Sequence, residues 1–459
     1  MADPTAEHLN ADGLAALAAG DRQAAPRAYR RALALAPGFL AALGNLANFD
    51  ADSQAYERAC RGYRRALSLM PGHAGLLMMM GTALLRAGRE TEGEHCLRQA
   101  LEIDPAYPKA HINLGLHALQ KRRLADAERH LRLALKGDPG ADLALAGLSR
   151  VLSERPSYRE ARRAARQATA IAPSSPQALG ALRQVGVMSG DIAAATRVSR
   201  RALVLSNDPT ALTGLGFCLH YDPAADSAEL ASLYRRWASV QARPDPRPHP
   251  NVPDAERRLK IGYLSADLYD HPVGRNLIGL FEAHDPGQVE IHVYAEHPGS
   301  DAMTTRLKAA ASAWRSTTGL SDPAVAESIR RDGIDILVVV AGHTLSNRIS
   351  VAALKPAPVQ LGIYDFSTSG LSQMDGFLSD PYLSPEGGEE QFSEDVIRLP
   401  CLYLHMPIDN VPLRPRSKGP LLLGSCNNPA KLNDKVIALW SRVLQALPEA
   451  RLALKYRDA

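Results

Sequence analysis

Ala25–Gly38 reads APRAYRRALALAPG, and Ala59–Gly72 reads ACRGYRRALSLMPG. The second stretch repeats the first 34 residues later, and the spacing continues along the chain. Pro37, Pro71, Pro105, Pro139 and Pro173 keep it, as do Ala32, Ala66, Ala100, Ala134, Ala168 and Ala202. Gly13, Gly81 and Gly115 mark a small position in the first half of a unit. Ala25, Ala59, Ala127 and Ala161 mark another at the start of the second half. A period of this length is that of a helix hairpin stacked on copies of itself. The small residues fall where two helices cross closely. The proline follows the second helix, whose hydrogen-bond ladder it cannot continue.

Working outward, the pattern resembles the tetratricopeptide family over residues 6–209, in about six units. The sixth is degenerate, with Asn207 where proline would fall and Pro209 two residues on. Stacked hairpins bury a core only against their neighbours and leave a groove lined by the first helix of each unit. That groove is the expected surface for an acceptor protein or peptide, with Asn45 and Asn113 placed to hold its backbone. The alternative is that each asparagine is solvated or caps a turn.

Composition bounds the remaining possibilities. The 459 residues are 46% hydrophobic, 22% charged and 5% aromatic. This excludes a disordered chain, and two to four domains are expected. No apolar run is long enough to suggest a membrane span. Met1–Asn10 (MADPTAEHLN) has no basic segment followed by an apolar one, so no secretory signal is expected. Cys60, Cys96, Cys218, Cys401 and Cys426 are scattered and form no CxxC pair, which indicates neither a zinc site nor a disulfide framework. A reducing cytoplasm is the expected location. A formal charge of +4 is small for this length and does not point to nucleic acid.

Past the repeats, residues 210–258 read as a helical cap followed by a linker. Five prolines fall between Arg243 and Pro253, a density that predicts a semi-rigid extended connection. The hydrophobic period then changes. Leu259–Ser265 (LKIGYLS), Val289–Ala295 (VEIHVYA), Ile334–Ala341 (IDILVVVA) and Val359–Tyr364 (VQLGIY) read as strands. Helices are expected over Gly274–Glu282, Asp301–Ala313 and Pro323–Arg331. Strands alternating with helices predict a doubly wound parallel sheet, and the unbroken apolar run of the third strand fits burial on both faces. Ligands of such sheets bind beyond the carboxyl ends of the strands, so those segments carry the chemistry.

They read SADLYDHP (Ser265–Pro272), AGHT (Ala341–Thr344), KPAPVQ (Lys355–Gln360), STSG (Ser367–Gly370), QFSEDVIRLP (Gln391–Pro400) and GSCNNPAKLND (Gly424–Asp434). This ordered series, behind tetratricopeptide repeats, resembles the catalytic region of the O-linked N-acetylglucosamine transferases in their bacterial form. The resemblance covers residues 210–459. It implies two Rossmann-like domains facing across a cleft, the GT-B arrangement. It also implies transfer of N-acetylglucosamine from UDP to Ser or Thr hydroxyls, with no cofactor and no catalytic metal. His271 matches the family histidine after the first strand and is the catalytic candidate. Lys431 matches the lysine on the donor phosphates, with Asn427 and Asn428 in the nucleotide-side loop before it. His343, Thr344, Thr368, Ser369 and Gly370 are expected to line the cleft. A fixed ammonium suits a reaction that builds negative charge on a departing diphosphate, and an adjoining helix start adds its amides.

Two departures stand out. Where the family shows G-Y-P-G-T-[S/T]-G, this chain has Ile363-Tyr-Asp-Phe-Ser-Thr-Ser-Gly370, so a differently shaped wall is expected. After a Rossmann-like domain over 259–417, residues 418–459 hold the start of a second, nucleotide-binding one, read as truncated. The alternative function is a non-catalytic repeat scaffold that binds proteins.

Overall fold

The computed structural model describes residues 4–155, 157–206, 208–241, 244–245, 247–297, 299–344, 346–386, 391–402 and 419–454. Asn207, Arg243, Pro246 and residues 403–417 of the expected sheet domain lie outside them. The chain divides into two compact units, Met1–Val185 and Gly186–Ala459.

The first unit is built of helices: α1 (Pro4–Ala18), α2 (Ala24–Leu35), α3 (Leu40–Asp52), α4 (Tyr56–Leu69), α5 (Ala74–Arg86), α6 (Glu90–Ile103), α7 (Pro108–Gln120), α8 (Leu124–Gly137), α9 (Asp142–Glu154) and α10 (Tyr158–Ile171). A further helix, α11 (Pro176–Met188), runs across the division. Each odd helix from α1 to α9 packs on the even one that follows, and α3, α5, α7 and α9 touch in succession. The repeating alanines make this possible: Ala32, Ala66, Ala100, Ala134 and Ala168 are fully buried. The glycines do so more sharply. A Cβ on Gly81 would lie 2.9 Å from the Gly93 carbonyl oxygen, and one on Gly115 would lie 2.8 Å from Leu131. The helices of a pair therefore approach closer there than any side chain permits.

The second unit opens with α12 (Ile192–Leu205), α13 (Pro209–Leu219) and α14 (Ser227–Ser239). The sheet follows: β1 (Leu259–Ser265), α15 (Pro272–Ala283), β2 (Val289–Ala295), α16 (Ala302–Ala310), β3 (Ala313–Ser316), α17 (Asp322–Asp332), β4 (Ile336–Val340), β5 (Val359–Ile363), β6 (Gly376–Ser379) and β7 (Asp395–Arg398). The seven strands are ordered β3-β2-β1-β4-β5-β6-β7, and all pairings are parallel. Burial alternates along the strands. Leu264, Tyr294, Leu337 and Val339 join α13, α14 and α17 in one core. Tyr263, Val293, Val338 and Val340 join α15 and α16 in the other. Helices thus cover both faces, which explains why Ile336–Val340 is apolar without a break.

Residues 210–258, expected as a helical cap and linker, begin with the packed helices α13 and α14. Leu212, Leu215, Leu219, Leu233 and Trp237 belong to the core that covers the sheet, so α13 and α14 are part of the sheet's own outer layer. The proline-rich stretch beyond them is strapped down along α17. Its polar residues, spaced between prolines, find partners there. Arg247 pairs with Glu327 at 2.6 Å, and the Arg247 carbonyl accepts from Arg330 at 3.2 Å. Asn251 donates to Asp335 at 2.7 Å.

Asp335 anchors this strap. Its carboxylate accepts from the Arg257 guanidinium, the Lys260 amide and Asn251. Burial pushes the Asp335 carboxyl upward, but these donors outweigh it and hold it at about 2. A carboxyl lowered on folding contributes stability above the unfolded value near 4, and that contribution is lost as pH falls through about 2. Asp335→Asn is expected to cost about 2 kcal/mol at neutral pH, with the cost fading between about pH 4 and pH 2. Urea unfolding of both proteins across that range checks it.

The last described elements are β8 (Leu422–Ser425), a 3-10 turn (Pro429–Lys431), α18 (Asp434–Ala446) and β9 (Arg451–Leu454). The two strands pair in parallel as a separate two-stranded sheet. No residue of α18 is buried, so this piece carries no covered core of its own among the described residues. It is attached through Ala430, which packs with Val187, Ile192, Ala195 and Cys218.

Candidate functional site

Because the strands are parallel, their carboxyl ends share one edge. Strand order reverses between β1 and β4, the place outside which ligands of doubly wound sheets generally bind. After β1, the chain turns through Asp267 and reaches His271, which caps α15. Its Nδ1 accepts from the Val273 amide at 3.3 Å, and Pro272 takes the first helical position. The His271 side chain is 36% exposed and lies 4.0 Å from the Asp267 carboxylate. Beside it the Tyr269 ring stacks on His297 at 4.4 Å, at the end of β2.

After β4, Thr344 is half-buried and its hydroxyl donates to the Ala341 carbonyl at 2.6 Å. His343 is expected to line the cleft, and the structure shows what surrounds its ring. It is 3% exposed, with its ring stacked on Tyr234 at 4.1 Å and edge-on to Trp237 at 4.6 Å. Its Nε2 donates to the Ser369 carbonyl at 2.9 Å. Burial, above all, pushes His343 down to about 4, so the ring is neutral and serves to join α14 to the loop after β5.

Thr368, Ser369 and Gly370, expected to line the same cleft, are buried as well. The Thr368 hydroxyl and the Ser369 amide both donate to the Glu394 carboxylate, each at 2.7 Å. Gly370 has φ +75 and lies against α14. The departure from the family pattern here has a physical role. Phe366 meets His220, which caps the end of α13, at 4.2 Å between ring centres. Asp365 accepts from the His343 amide at 2.8 Å and from the Phe366 amide at 2.9 Å. Burial pushes the Asp365 carboxyl up to about 6, with the Glu394 charge adding to it. Asp365 and Glu394 were not singled out by the sequence, because each works through contacts about 20 residues or more away.

The expected nucleotide-side residues cluster between β8 and α18. Asn427 donates to the Ser425 hydroxyl at 3.2 Å, and Asn428 accepts from the Ala430 amide at 3.0 Å. Asn427, Asn428 and Lys431 are exposed. The Lys431 backbone amide is bonded to the Asn428 carbonyl at 2.9 Å, while no described residue pairs with its ammonium. Asn433 caps α18 just beyond, accepting from Val436 at 3.1 Å. This loop combines a cation with no partner among the described residues, two side-chain amides and a helix start.

In the first unit, Asn45 donates to Asn10 at 3.0 Å and Asn113 donates to Thr82 at 2.8 Å. Both bonds join neighbouring repeats. They use the NH2 groups and leave both side-chain oxygens as acceptors. Among the described residues no His, Cys, Asp and Glu group is arranged to hold a metal ion, and no helix is long and apolar enough to cross a membrane.

The chain thus joins helix-hairpin repeats to a doubly wound parallel sheet, the class of architecture against which known proteins are compared. Residues 231–411 match the model of glycosyl transferase family 41, and residues 78–142 match a tetratricopeptide repeat model. The solved structure of a mutant O-GlcNAc transferase of Thermobaculum terrenum is 34% identical with a TM-score of 0.72, covering 76% of this chain and 68% of that one. The probable UDP-N-acetylglucosamine–peptide N-acetylglucosaminyltransferase SPINDLY of Arabidopsis thaliana is 31% identical over 229 residues, 48% of this chain and 25% of that protein. Its counterpart in Petunia hybrida is 32% identical over 215 residues, 45% and 23% respectively. The chain belongs to the tetratricopeptide-bearing O-GlcNAc transferase family, glycosyl transferase family 41. It spans about a quarter of the length of these curated relatives.

Proposed function

We propose that this protein transfers N-acetylglucosamine from UDP to Ser or Thr hydroxyls of proteins chosen by its repeats. The observation that carries this reading is the 34% identity to a bacterial O-GlcNAc transferase over 76% of the chain, through repeats and sheet alike. The parallel sheet is one half of a GT-B cleft, and the β8–α18 segment faces the donor. Lys431 is the group that meets the diphosphate, supported by Asn427, Asn428 and the amides ahead of α18. As the sugar C1–oxygen bond breaks, charge grows on the leaving phosphate, and a fixed ammonium stabilises it most where water is scarce. No metal or other cofactor is needed for that task. The Asn45 and Asn113 side-chain oxygens accept backbone amides of the acceptor. The cytoplasm is the compartment this reading assigns.

Calorimetric titration of the folded protein with UDP tests the donor half of the proposal. Saturable binding that Lys431→Ala weakens is expected. Absence of any saturable heat would remove the UDP site from this chain.

A further inference from the structure

The 34-residue register carries a second repeat beside the buried alanines. Arg30, Arg64, Arg98, Arg132 and Arg166 keep the spacing, one on each of α2, α4, α6, α8 and α10. Arg27, Arg61, Arg129 and Arg163 stand three residues ahead of four of them, with His95 at the same place on α6. Residues three apart share a helix face, and all these side chains are exposed. The helices that bear them lie side by side. Arg65 of α4 donates to the Pro37 carbonyl just past α2 at 2.7 Å, and Arg89 ahead of α6 pairs with Glu57 of α4 at 3.2 Å. Arg123 ahead of α8 pairs with Glu94 of α6, and Arg132 of α8 pairs with Glu160 of α10 at 2.8 Å. The arginines therefore form two columns across the outer helices of the first unit.

The columns are not alike along their length. On α6 Arg98 pairs with Glu94, and on α8 Arg129 pairs with Asp126 at 3.6 Å and Arg132 with Glu128 at 3.0 Å. On α2 and α4, Arg27, Arg30, Arg31, Arg61 and Arg64 have no ion pair or hydrogen bond through their side chains among the described residues. The carboxylates around them are engaged elsewhere. Asp21 accepts the Gln23 and Ala24 amides at 3.0 and 2.8 Å, Asp50 pairs with Arg58 at 3.2 Å, and Glu57 and Glu92 both hold Arg89. Like charges three or four residues apart on a helix repel. A face made only to be wetted mixes its signs, as α6 and α8 do. Beside the arginines, Leu35 and Leu69 end the same two helices, 34 residues apart and each 50% exposed. Arg163 and Arg166 of α10 lack such a neighbour in α8, whose arginines are paired and which has Gly137 at the leucine position.

We propose that this face of α2 and α4 binds a peptide segment of a partner protein in which carboxylates alternate with apolar side chains. Unpaired guanidinium forks match carboxylates in geometry and charge, and Leu35 and Leu69 offer the apolar side chains a dry contact. A polynucleotide fits less well. The rings of these helices, Tyr29, Tyr56 and Tyr63, are buried or half-buried, so none is presented for stacking on bases. A phosphate backbone following the columns would also meet Glu92 and Glu94 on the next helix, α6. The face lies on the second helices of the repeats, whereas Asn45 and Asn113 lie on the first ones, α3 and α7. It is therefore separate from the groove assigned to the acceptor.

The test is fluorescence anisotropy of a fluorescein-labelled peptide of Glu-Glu-Leu-Leu units, titrated with the full chain at low salt. Saturable binding is expected, with none for the same peptide carrying Lys in place of Glu. Arg61→Glu with Arg64→Glu weakens binding by about tenfold or more. Leu35→Ser with Leu69→Ser weakens it by about threefold or more. Arg163→Glu with Arg166→Glu removes the same charge from α10 and leaves affinity within about twofold. All these side chains are exposed, so each variant is expected to keep its thermal midpoint. If the α4 charge reversal does not fold, Arg61→Gln with Arg64→Gln takes its place, with an expected loss of about threefold or more. Equal losses from α4 and α10 overturn the proposal, because net charge alone then explains them. Absence of saturable binding overturns it as well. So does displacement of the peptide by duplex DNA, or by vesicles of equal parts phosphatidylserine and phosphatidylcholine, at lower concentration than by the unlabelled peptide. Sugar transfer plays no part in the measurement, so its outcome stands apart from the proposed activity.

Discussion

Lys431→Ala is expected to lower sugar transfer by about 10²–10³-fold, the loss typical of removing a group that meets developing charge. Lys431 sits in the 3-10 turn Pro429–Lys431, ahead of the capped start of α18. Its side chain is exposed and its ammonium has no partner among the described residues, so removing it breaks no ion pair among them and opens no buried cavity. The fold has little reason to respond. The thermal midpoint should stay within about 1–2 °C of wild type, as for other surface substitutions. Lys431→Arg keeps the charge but replaces a compact point cation with a planar fork, so partial activity is expected. Steady-state kinetics with UDP-N-acetylglucosamine and a Ser/Thr peptide check both variants. Retained activity in Lys431→Ala would take this residue out of the site.

The second large effect is on stability. Gly370→Val is expected to destabilise the second unit by about 3–5 kcal/mol, and Gly370→Ala by somewhat less. Two costs coincide at this residue. Its φ is +75, a conformation that side-chain-bearing residues adopt only under strain, and any Cβ would sit 2.2 Å from the Tyr234 carbonyl oxygen. That oxygen belongs to α14 and cannot rotate away. Relief requires the helix to move off the sheet, along with the buried Tyr234 and Trp237 on either side of His343. Gly319 provides the control. It has φ +80 with nothing within 4 Å of a built Cβ, so Gly319→Ala carries the backbone strain without the clash and should cost about 1 kcal/mol. Differential scanning calorimetry separates the two: a fall of about 10 °C for Gly370→Val against about 2–4 °C for Gly319→Ala. Equal shifts would mean that α14 does not press on this loop.

Local pattern carried much of the fold. Leu259–Ser265 and Val289–Ala295 are strands over the ranges their alternation predicts, and the 34-residue alanine register marks the buried contacts of the helix pairs. What local pattern lacked was partners distant in sequence. β3, β6 and β7 are four residues each, too short to show a period, and β3 and β7 carry Arg315, Asp395 and Arg398. The proline-rich stretch reads as a linker because prolines favour extension. Only the folded positions of Glu327, Arg330 and Asp335 show that it is fastened. His343 and the Thr368–Gly370 segment follow strands, which is where site residues are sought. Their burial comes from α14, more than 100 residues earlier.

The most direct measurement is mass spectrometry of a Ser/Thr-containing protein or peptide incubated with this chain and UDP-N-acetylglucosamine. The account predicts the mass of one N-acetylhexosamine added per modified hydroxyl, dependent on Lys431. An unmodified acceptor, with folded protein that also shows no saturable UDP binding, would contradict it and leave the repeats as a protein-binding scaffold.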